Sequence, residues 1–367
     1  MLKKDWMKKA ERNLIFSKMK RKSIKTVVSI FLVMAASCGE PETVVTNIVH
    51  PDGSITRKLE MRSLGSEIEI SDIQVPFDST WIVRDSLEID EDGDTTWVKR
   101  AEKFFASVDE INKDYMVDSS TNKATVRSAE FTKKFKWFNT EYRFAEIIEN
   151  TMSNGYPVSD FLNEEELDWF YSPENVAIDK LAGPDSSKYK ALSDTVDAKA
   201  DKWIYKSLVS EWITIFKKLA QGKPGLDETV EILKENEEMV AKLIIEDGEK
   251  FDSLWSNGII IKNLIGEENA MRLRAEADSA ADIASDCVLI DFVNYTLKIV
   301  MPGEIIGTNG FIDSTKILLW PTNSSFFLTE PYVMYAESKT PNKWAWIFSG
   351  IFLLFVLAGI IFRVLKK

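Results

Sequence analysis

Histidine and cysteine are scarce in this chain of 367 residues, which contains one His and two Cys. A histidine-based metal site or catalytic triad needs more than the single His50, so we predict neither. Two cysteines, Cys38 and Cys287, are also too few for a disulfide framework. We therefore expect no metal and no cofactor.

Sequence motifs of common enzyme classes are missing as well. The chain has no G-x-S-x-G, no H-E-x-x-H, no P-loop and no G-x-G-x-x-G motif. It also has no internal repeat with a period of about 20–50 residues. These absences favour a protein that is not an enzyme. A hydrolase built on a pair of carboxylates stays open as an alternative, because acidic residues are abundant.

Two acidic stretches are candidate sites, the first for such carboxylate chemistry and the second for calcium. The first is Glu164-Glu165-Glu166-Leu167-Asp168-Trp169, which is far more typical of a helix N-terminus, where the helix dipole favours acids. The second has the spacing at which an EF-hand loop begins: Glu88, Asp90, Asp92 and Gly93. Its twelfth position is Lys99, so the bidentate carboxylate of a calcium loop is missing and we expect a solvated turn.

His50 and Cys287 also have simple explanations. His50 lies beside Pro51-Asp52-Gly53, so we expect a solvated turn residue. A catalytic cysteine needs a base, and His50 is far from Cys287 in sequence. We expect Cys287 to be a buried thiol.

The longest uncharged stretch is near the C-terminus, from Trp344 to Phe362. As a helix it would be about 28 Å long, close to the hydrocarbon thickness of a bilayer. Trp344 and Trp346 lie at one edge, and basic residues from Arg363 onward follow the other edge. Residues 343–367 are thus predicted to be a transmembrane helix with a short cytoplasmic tail.

The N-terminus has the pattern of a bacterial lipoprotein signal. Basic residues from Lys18 to Lys25 precede an apolar run from Val27 to Ala36, and Ala35-Ala36-Ser37-Cys38 is similar to a lipobox. We predict a signal peptide over residues 1–37 and lipid, such as palmitate, on Cys38. An ordinary signal or an uncleaved anchor remains possible, as does a start at Met19.

The two ends predict one location. Basic flanks mark the cytoplasm at each end, so the body is expected to face the periplasm or cell exterior from the bacterial inner membrane. The basic residues concentrate in these ends, so the region between them is more acidic than the whole chain, whose net charge is −12. Such a body is a poor partner for nucleic acid and suits basic protein patches better.

The body is predicted to be α+β. Residues 38–99 have strand patterns with turn signals, including Pro51-Asp52-Gly53, and form the N-terminal β segment. Residues 100–286 are predicted to be mainly helical and residues 287–342 to be a C-terminal β meander. We expect a β-rich, membrane-proximal layer built from both ends of the ectodomain, with a helical insertion.

Individual helices and strands are predicted from the spacing of apolar residues, from helix-capping residues and from Gly or Pro residues that end an element. The helices are expected from Phe104 to Tyr115, 142–152, 160–171 with Ser159 as the cap, 186–220, 227–246, 254–264 and 267–285. The helix over 186–220 has an apolar stripe that is more typical of core packing than of a ligand-binding face: Trp203, Ser207/Leu208, Trp212, Ile215/Phe216 and Leu219. A strand is expected at Val288-Leu289-Ile290, and a hairpin turn at Asn309-Gly310.

One part of the chain resembles a known family. Residues 296–342 contain Pro302-Gly303, Asn309-Gly310 and Trp320, and Asp52-Gly53 follows soon after the lipobox. This arrangement is similar to membrane-anchored bacterial lipoproteins of the mycobacterial LppM type. The resemblance implies a β domain close to a C-terminal membrane helix, and binding of lipid or glycolipid.

The sequence leaves three functions open. The first is a membrane-tethered envelope protein that binds a protein partner or a hydrophobic ligand. The second is the carboxylate-based hydrolase of the cell envelope. The third is a lipid or glycolipid carrier, which would need a continuous apolar cavity of several hundred cubic ångströms.

Overall fold

The computed structural model describes residues 42–64, 67–68, 75–89, 95–117, 125–173, 186–246, 259–290, 292–312 and 317–366. These residues fall into two compact units. The β unit comprises residues 42–148, 293–322 and 332–366, and the helical unit comprises residues 149–292 and 323–331, in each case where described. The predicted signal peptide, Cys38 and the acidic tip 90–94 lie outside the described residues.

The predicted α+β class is confirmed, since the described residues form two sheets and eight α-helices. The strands are β1 Glu42–Val49, β2 Ile55–Leu64, β3 Ile82–Ile89, β4 Thr95–Phe105, β5 Arg127–Phe135, β6 Asn139–Ile148, β7 Tyr295–Val300, β8 Glu304–Thr308, β9 Phe311–Ile312, β10 Leu318–Thr322 and β11 Tyr332–Pro341. The helices are α1 Val108–Val117, α2 Glu164–Tyr171, α3 Ser186–Leu219, α4 Leu226–Glu235, α5 Glu237–Glu246, α6 Ile259–Ile265, α7 Glu267–Asp286 and α8 Lys343–Leu365.

The larger sheet of the β unit has the strand order β3-β4-β2-β1-β7-β10-β9. Its first hairpin, β1–β2, turns at Pro51-Asp52-Gly53 as predicted, and Gly53 takes the left-handed φ of 96° that glycine tolerates best. β1 also pairs in parallel with β7, so strands from both ends of the sequence share this sheet.

The smaller sheet has the order β5-β6-β11-β8. The predicted meander of residues 287–342 is wrong in its pairing, because β8 and β11 belong to this sheet whereas β7, β9 and β10 belong to the larger one. Asn309-Gly310 therefore passes the chain from one sheet to the other instead of closing a hairpin. The Asn309 Oδ1 atom accepts hydrogen bonds from the Trp320 indole and the Tyr335 amide, both at 3.0 Å. A turn dipeptide specifies the bend but not which strands pair.

The predicted helix over residues 142–152 is also wrong, because most of it is strand β6. Alternate residues of β6, among them Tyr142, Phe144 and Ile148, are buried, which is the period of a strand. β6 pairs with β5 and β11 on its two sides. The neighbouring strands decide the conformation of this short apolar run, whose pattern fits both periods.

Other boundaries shift for local reasons. β4 extends to Phe105, so the helix expected from Phe104 begins at Val108. Residues 288–290 form a turn and bend, not the expected strand. The helix expected over 227–246 divides into α4 and α5 at Asn236, whose side-chain amide donates to the Ile232 carbonyl at 2.7 Å. Such a side-chain bond competes with continued helix.

The core of the helical unit follows the predicted stripe of α3. Trp203, Trp212 and Phe216 are buried, and the Trp212 indole donates to the Ala277 carbonyl of α7 at 3.1 Å. α7 presents buried alanines to this core, and small side chains permit such a close approach between helices. The interpretation of the stripe as packing is thus confirmed.

The N-terminus of α2 has a capping box that the sequence interpretation misplaced. The Asn163 side chain accepts from the Glu166 amide at 3.0 Å, and the Glu166 carboxylate accepts from the Asn163 amide at 2.9 Å. Ser159, the expected cap, lies instead in a separate 3₁₀ turn, Val158–Asp160.

The capping box gives a matched pair of variants. We expect Asn163→Ala to lower the free energy of unfolding by about 1 kcal/mol, because it removes the acceptor for an orphan helix amide. The control Ser159→Ala changes an exposed residue outside the cap and should stay within about 0.5 kcal/mol of the parent chain. Urea unfolding of both variants measures the difference, and equal losses would show that Asn163 is not the effective cap.

Candidate functional site

Two of the acidic residues singled out in the sequence, Glu88 and Glu166, serve structural contacts. Glu166 accepts from Lys199 at 2.6 Å as well as closing the capping box, and the hydrogen bond from Lys199 lowers the pKa of its carboxyl. Glu88 accepts from Arg62 at 2.9 Å and from Arg100 at 3.2 Å, while Lys99 pairs with Asp85. A general acid needs a raised pKa, so Glu166 does not suit that role.

His50 and Cys287 also lack the surroundings of reactive groups. The His50 Nε2 atom is 2.9 Å from the Thr56 hydroxyl, next to the β1–β2 turn. Cys287 is half-buried in the helical unit, and burial raises the pKa of its thiol, which disfavours the thiolate. Among the residues that the structure describes, no three His, Cys, Asp or Glu side chains are grouped so that they could hold a metal ion.

A buried polar cluster lies between the two sheets of the β unit. The cluster consists of Asn47 on β1, Arg57 on β2, Tyr115 on α1 and Glu146 on β6. Arg57 pairs with the Glu146 carboxylate and donates to Asn47 Oδ1 at 2.8 Å and to the Tyr115 hydroxyl at 3.0 Å. The side-chain amide of Asn47 donates to the Glu146 carboxylate at 2.7 Å. These bonds hold the sheets face to face.

The same cluster is closed to substrates. Arg57 and Glu146 are 1% and 4% exposed. Burial alone would lower the pKa of Arg57, but the Glu146 carboxylate raises it overall, so the guanidinium stays charged. Burial raises the pKa of Tyr115 well above its usual value, so the phenol keeps its proton. The cluster therefore serves cohesion better than chemistry.

The β unit offers a different candidate at the beginning of α8. Among the described residues, α8 is the one helix that is long and apolar enough to cross a membrane. Of its residues, Ala345 is buried and nearly all the others are exposed. A continuous apolar surface of this size is typical of a membrane or a protein interface.

The beginning of α8 is fixed to the turn of the β5–β6 hairpin. β11 pairs with β6 along its whole length, down to Pro341 opposite Asn139, so the helix starts beside this turn. The Asn342 amide donates to the Phe138 carbonyl at 2.9 Å, and its side-chain amide donates to the Lys136 carbonyl at 2.7 Å. The Thr140 hydroxyl donates to Asn342 Oδ1 at 2.9 Å. The helix thus leaves a rigid strand end.

Five aromatic rings surround this junction, and we refer to them as the aromatic collar: Phe135, Trp137, Phe138, Trp344 and Trp346. The ring centroids of Phe138 and Trp346 are 4.5 Å apart, and those of Trp137 and Trp344 are 5.3 Å apart. Phe135 stacks on Trp344 at 6.2 Å. All five rings are nevertheless exposed to a large extent.

Two indole groups extend these contacts along the helix. The Trp346 indole donates to the Phe138 carbonyl at 3.2 Å. The Trp137 indole donates to the Ser349 hydroxyl at 3.0 Å. Ser349 lies almost two turns into α8. The hairpin turn is therefore level with the first turns of the helix.

The sequence interpretation found half of this site. It placed Trp344 and Trp346 at an edge of the apolar stretch, but it did not connect them with the aromatic residues around Trp137. The shared composition, with Trp and Phe beside a turn and Trp at a helix edge, is the signal that could have linked them. Comparison with protein-family models, with curated proteins and with solved structures gives no match to this chain.

Proposed function

We propose that the chain is a membrane-tethered protein in which α8 crosses the bilayer and the folded body lies on the outer side. The observation that carries this proposal is the exposed apolar surface of α8 that continues directly from strand β11. Contact between water and these exposed apolar side chains is unfavourable, and transfer into a bilayer removes it. In a membrane, Leu, Ile, Phe and Val each favour the helix centre by about 0.3–0.6 kcal/mol.

The ends of α8 support one orientation. Arg363 and Lys366 follow the apolar stretch, and basic flanks are retained in the cytoplasm. The β unit then lies next to the outer membrane surface, because its strand β11 leads into the helix. In sequence, the helical unit consists mainly of residues 149–292, between β6 and β7, and also includes residues 323–331, between β10 and β11.

We further propose that the body binds a protein partner or a hydrophobic ligand at the cell envelope. Its acidic character favours partners with basic surfaces. Large side chains such as Phe105, Phe144 and Trp320 are fully buried in the β unit, and a packed interior favours partner binding over a lipid carrier. The carboxylate-based hydrolase gains no support from Glu88 or Glu166, because both carboxylates are held by basic side chains. Lipid on Cys38 stays a prediction that would add a second tether.

Site-directed labelling tests the topology. In a chain with Cys38 and Cys287 replaced by serine, Glu102→Cys places a thiol on the exposed face of β4 and Lys366→Cys places one after α8. A membrane-impermeant maleimide should label Glu102→Cys in intact bacterial spheroplasts. It should label Lys366→Cys only after the membrane is opened with detergent.

The cysteine-free parent chain serves as the blank for this measurement. Labelling of both positions in intact spheroplasts would show that α8 does not cross the membrane. Protection of Glu102→Cys together with labelling of Lys366→Cys would reverse the proposed orientation.

A further inference from the structure

We propose that the aromatic tip of the β5–β6 hairpin, formed by Phe135, Trp137 and Phe138, inserts into the membrane interface. The tip would contact the boundary between headgroups and acyl chains of the outer leaflet. This inference rests on the proposed function, because it takes α8 as the membrane helix. It adds a second contact, between the folded β unit and lipid.

The position of the tip along α8 gives its depth. If Arg363 lies at the inner edge of a hydrocarbon core about 30 Å thick, Trp344 lies about 28 Å away, near the outer edge. Ser349 then lies about 21 Å from Arg363, which is roughly 9 Å inside the outer edge. The Trp137 indole donates to Ser349, so the tip reaches below the headgroups. Interfacial apolar groups commonly reach about 5–10 Å into this boundary.

The side chains of the tip suit this depth. Phe135 and Trp137 are 58% and 46% exposed in the folded β unit. Exposure of rings of this size to water is unfavourable, and their transfer to a membrane boundary is favourable. The Trp137 indole already has its acceptor in Ser349, so its donor would not be left unpaired in lipid.

The backbone of the tip is prepared for a dry environment as well. The Lys136 amide donates to the Asn139 carbonyl at 2.8 Å and closes the turn. The carbonyls of Lys136 and Trp137 both accept from the Asn342 side chain, at 2.7 and 3.3 Å. The Phe138 carbonyl accepts from the Asn342 amide and the Trp346 indole. These bonds satisfy the carbonyls of residues 136–138, as a turn at membrane depth requires, whereas the buried Asn139 Oδ1 atom has no hydrogen-bond partner among the described residues.

Charge near the tip favours lipid headgroups. Lys134 and Lys343 are exposed near it, in contrast to the acidic composition of the body, and Lys136, also exposed, pairs with Glu141. Lysine side chains can extend to phosphate groups while their stems cover apolar surface. The positive charge of Lys134 and Lys343 therefore suits anionic phospholipid.

Spin labels can measure the depth of the tip in the whole chain. In the cysteine-free chain, single cysteines at Phe135→Cys, Lys136→Cys, Glu130→Cys and Phe352→Cys carry a nitroxide. The protein is reconstituted into vesicles of phosphatidylethanolamine and phosphatidylglycerol. Collision with oxygen, which concentrates in the bilayer, is compared with collision with a water-soluble nickel chelate.

The positions have distinct roles. Phe352 lies near the middle of α8 and reports whether the helix is in the bilayer. Glu130 is exposed on β5, about 17 Å before Phe135, and serves as the matched control in water. Lys136→Cys keeps all five rings of the collar, so it tests the tip without removing an aromatic side chain.

We expect the ratio of oxygen to nickel collisions to be several-fold higher at positions 135 and 136 than at 130, and highest at 352. A lipid-like ratio at 352 with water-like ratios at 135 and 136 would overturn the inference and leave the membrane helix standing. A water-like ratio at 352 would overturn both. Low collision rates with both reagents at 135 and 136 would show that protein, not lipid, covers the tip.

Discussion

Replacing Glu146 by alanine should lower the free energy of unfolding of the β unit by about 3–5 kcal/mol. The change leaves the Arg57 guanidinium buried and charged without the Glu146 carboxylate as its partner. It also removes the acceptor of the Asn47 side-chain amide. Arg57 cannot escape this cost by losing its proton, because an arginine stays protonated in proteins. The loss is thus a desolvation cost, larger than that of a surface ion pair.

Hydrogen exchange read by mass spectrometry can localise this effect. Amides of β2 and β6 should exchange faster in Glu146→Ala, whereas amides of α3 in the helical unit provide an internal reference. The matched control is Glu337→Ala, which breaks the half-exposed pair of Glu337 with Arg143 on the smaller sheet. That change should cost no more than about 1 kcal/mol. Similar losses in the two variants would contradict the role assigned to burial.

A double replacement separates the charge from the packing. Arg57→Met together with Glu146→Leu removes both charges and retains side chains of comparable volume. Because buried ion pairs are often no more stabilising than apolar side chains of similar volume, the double variant should recover most of the loss. Asn47 and Tyr115 would still lack partners, so some loss should remain.

Features set by local chemistry could be predicted from the sequence. Pro51-Asp52-Gly53 specifies its hairpin because the turn needs a left-handed residue, and Gly53 supplies it. The stripe of Trp203, Trp212 and Phe216 identified the core face of α3, since the helical period places these side chains on one side. α8 was found from composition alone.

Features set by distant partners could not be predicted. β6 is a strand because β5 and β11 flank it, although its own residues also fit a helix. Arg57 and Glu146 are far apart in sequence, and neither residue carries a local sign that it is buried opposite the other. The junction of the β5–β6 turn with α8 likewise depends on the register of β11 with β6, which no short pattern encodes.

Two charges in the middle of α8 should prevent it from crossing the membrane. The twelve Ile, Leu, Phe and Val residues between Trp344 and Phe362 favour insertion by roughly 4–7 kcal/mol in total. One Arg near the centre costs about 2.5–3.5 kcal/mol, so a single Leu354→Arg change should leave most chains inserted. Ile351→Arg combined with Leu354→Arg costs about 5–7 kcal/mol and removes the net gain.

The thiol at Lys366→Cys, in the chain with Cys38 and Cys287 replaced by serine, reports the outcome. In the doubly charged chain, the tail should pass to the outer side and become labelled in intact spheroplasts to the level of Glu102→Cys. The control pair Ile351→Leu and Leu354→Phe keeps the helix apolar and should leave position 366 protected. Continued protection of position 366 in the doubly charged chain would mean that something other than lipid solvation holds α8 in place. In that case the exposed face of the helix would be an interface with another protein, because only polar partners could offset two buried guanidinium groups.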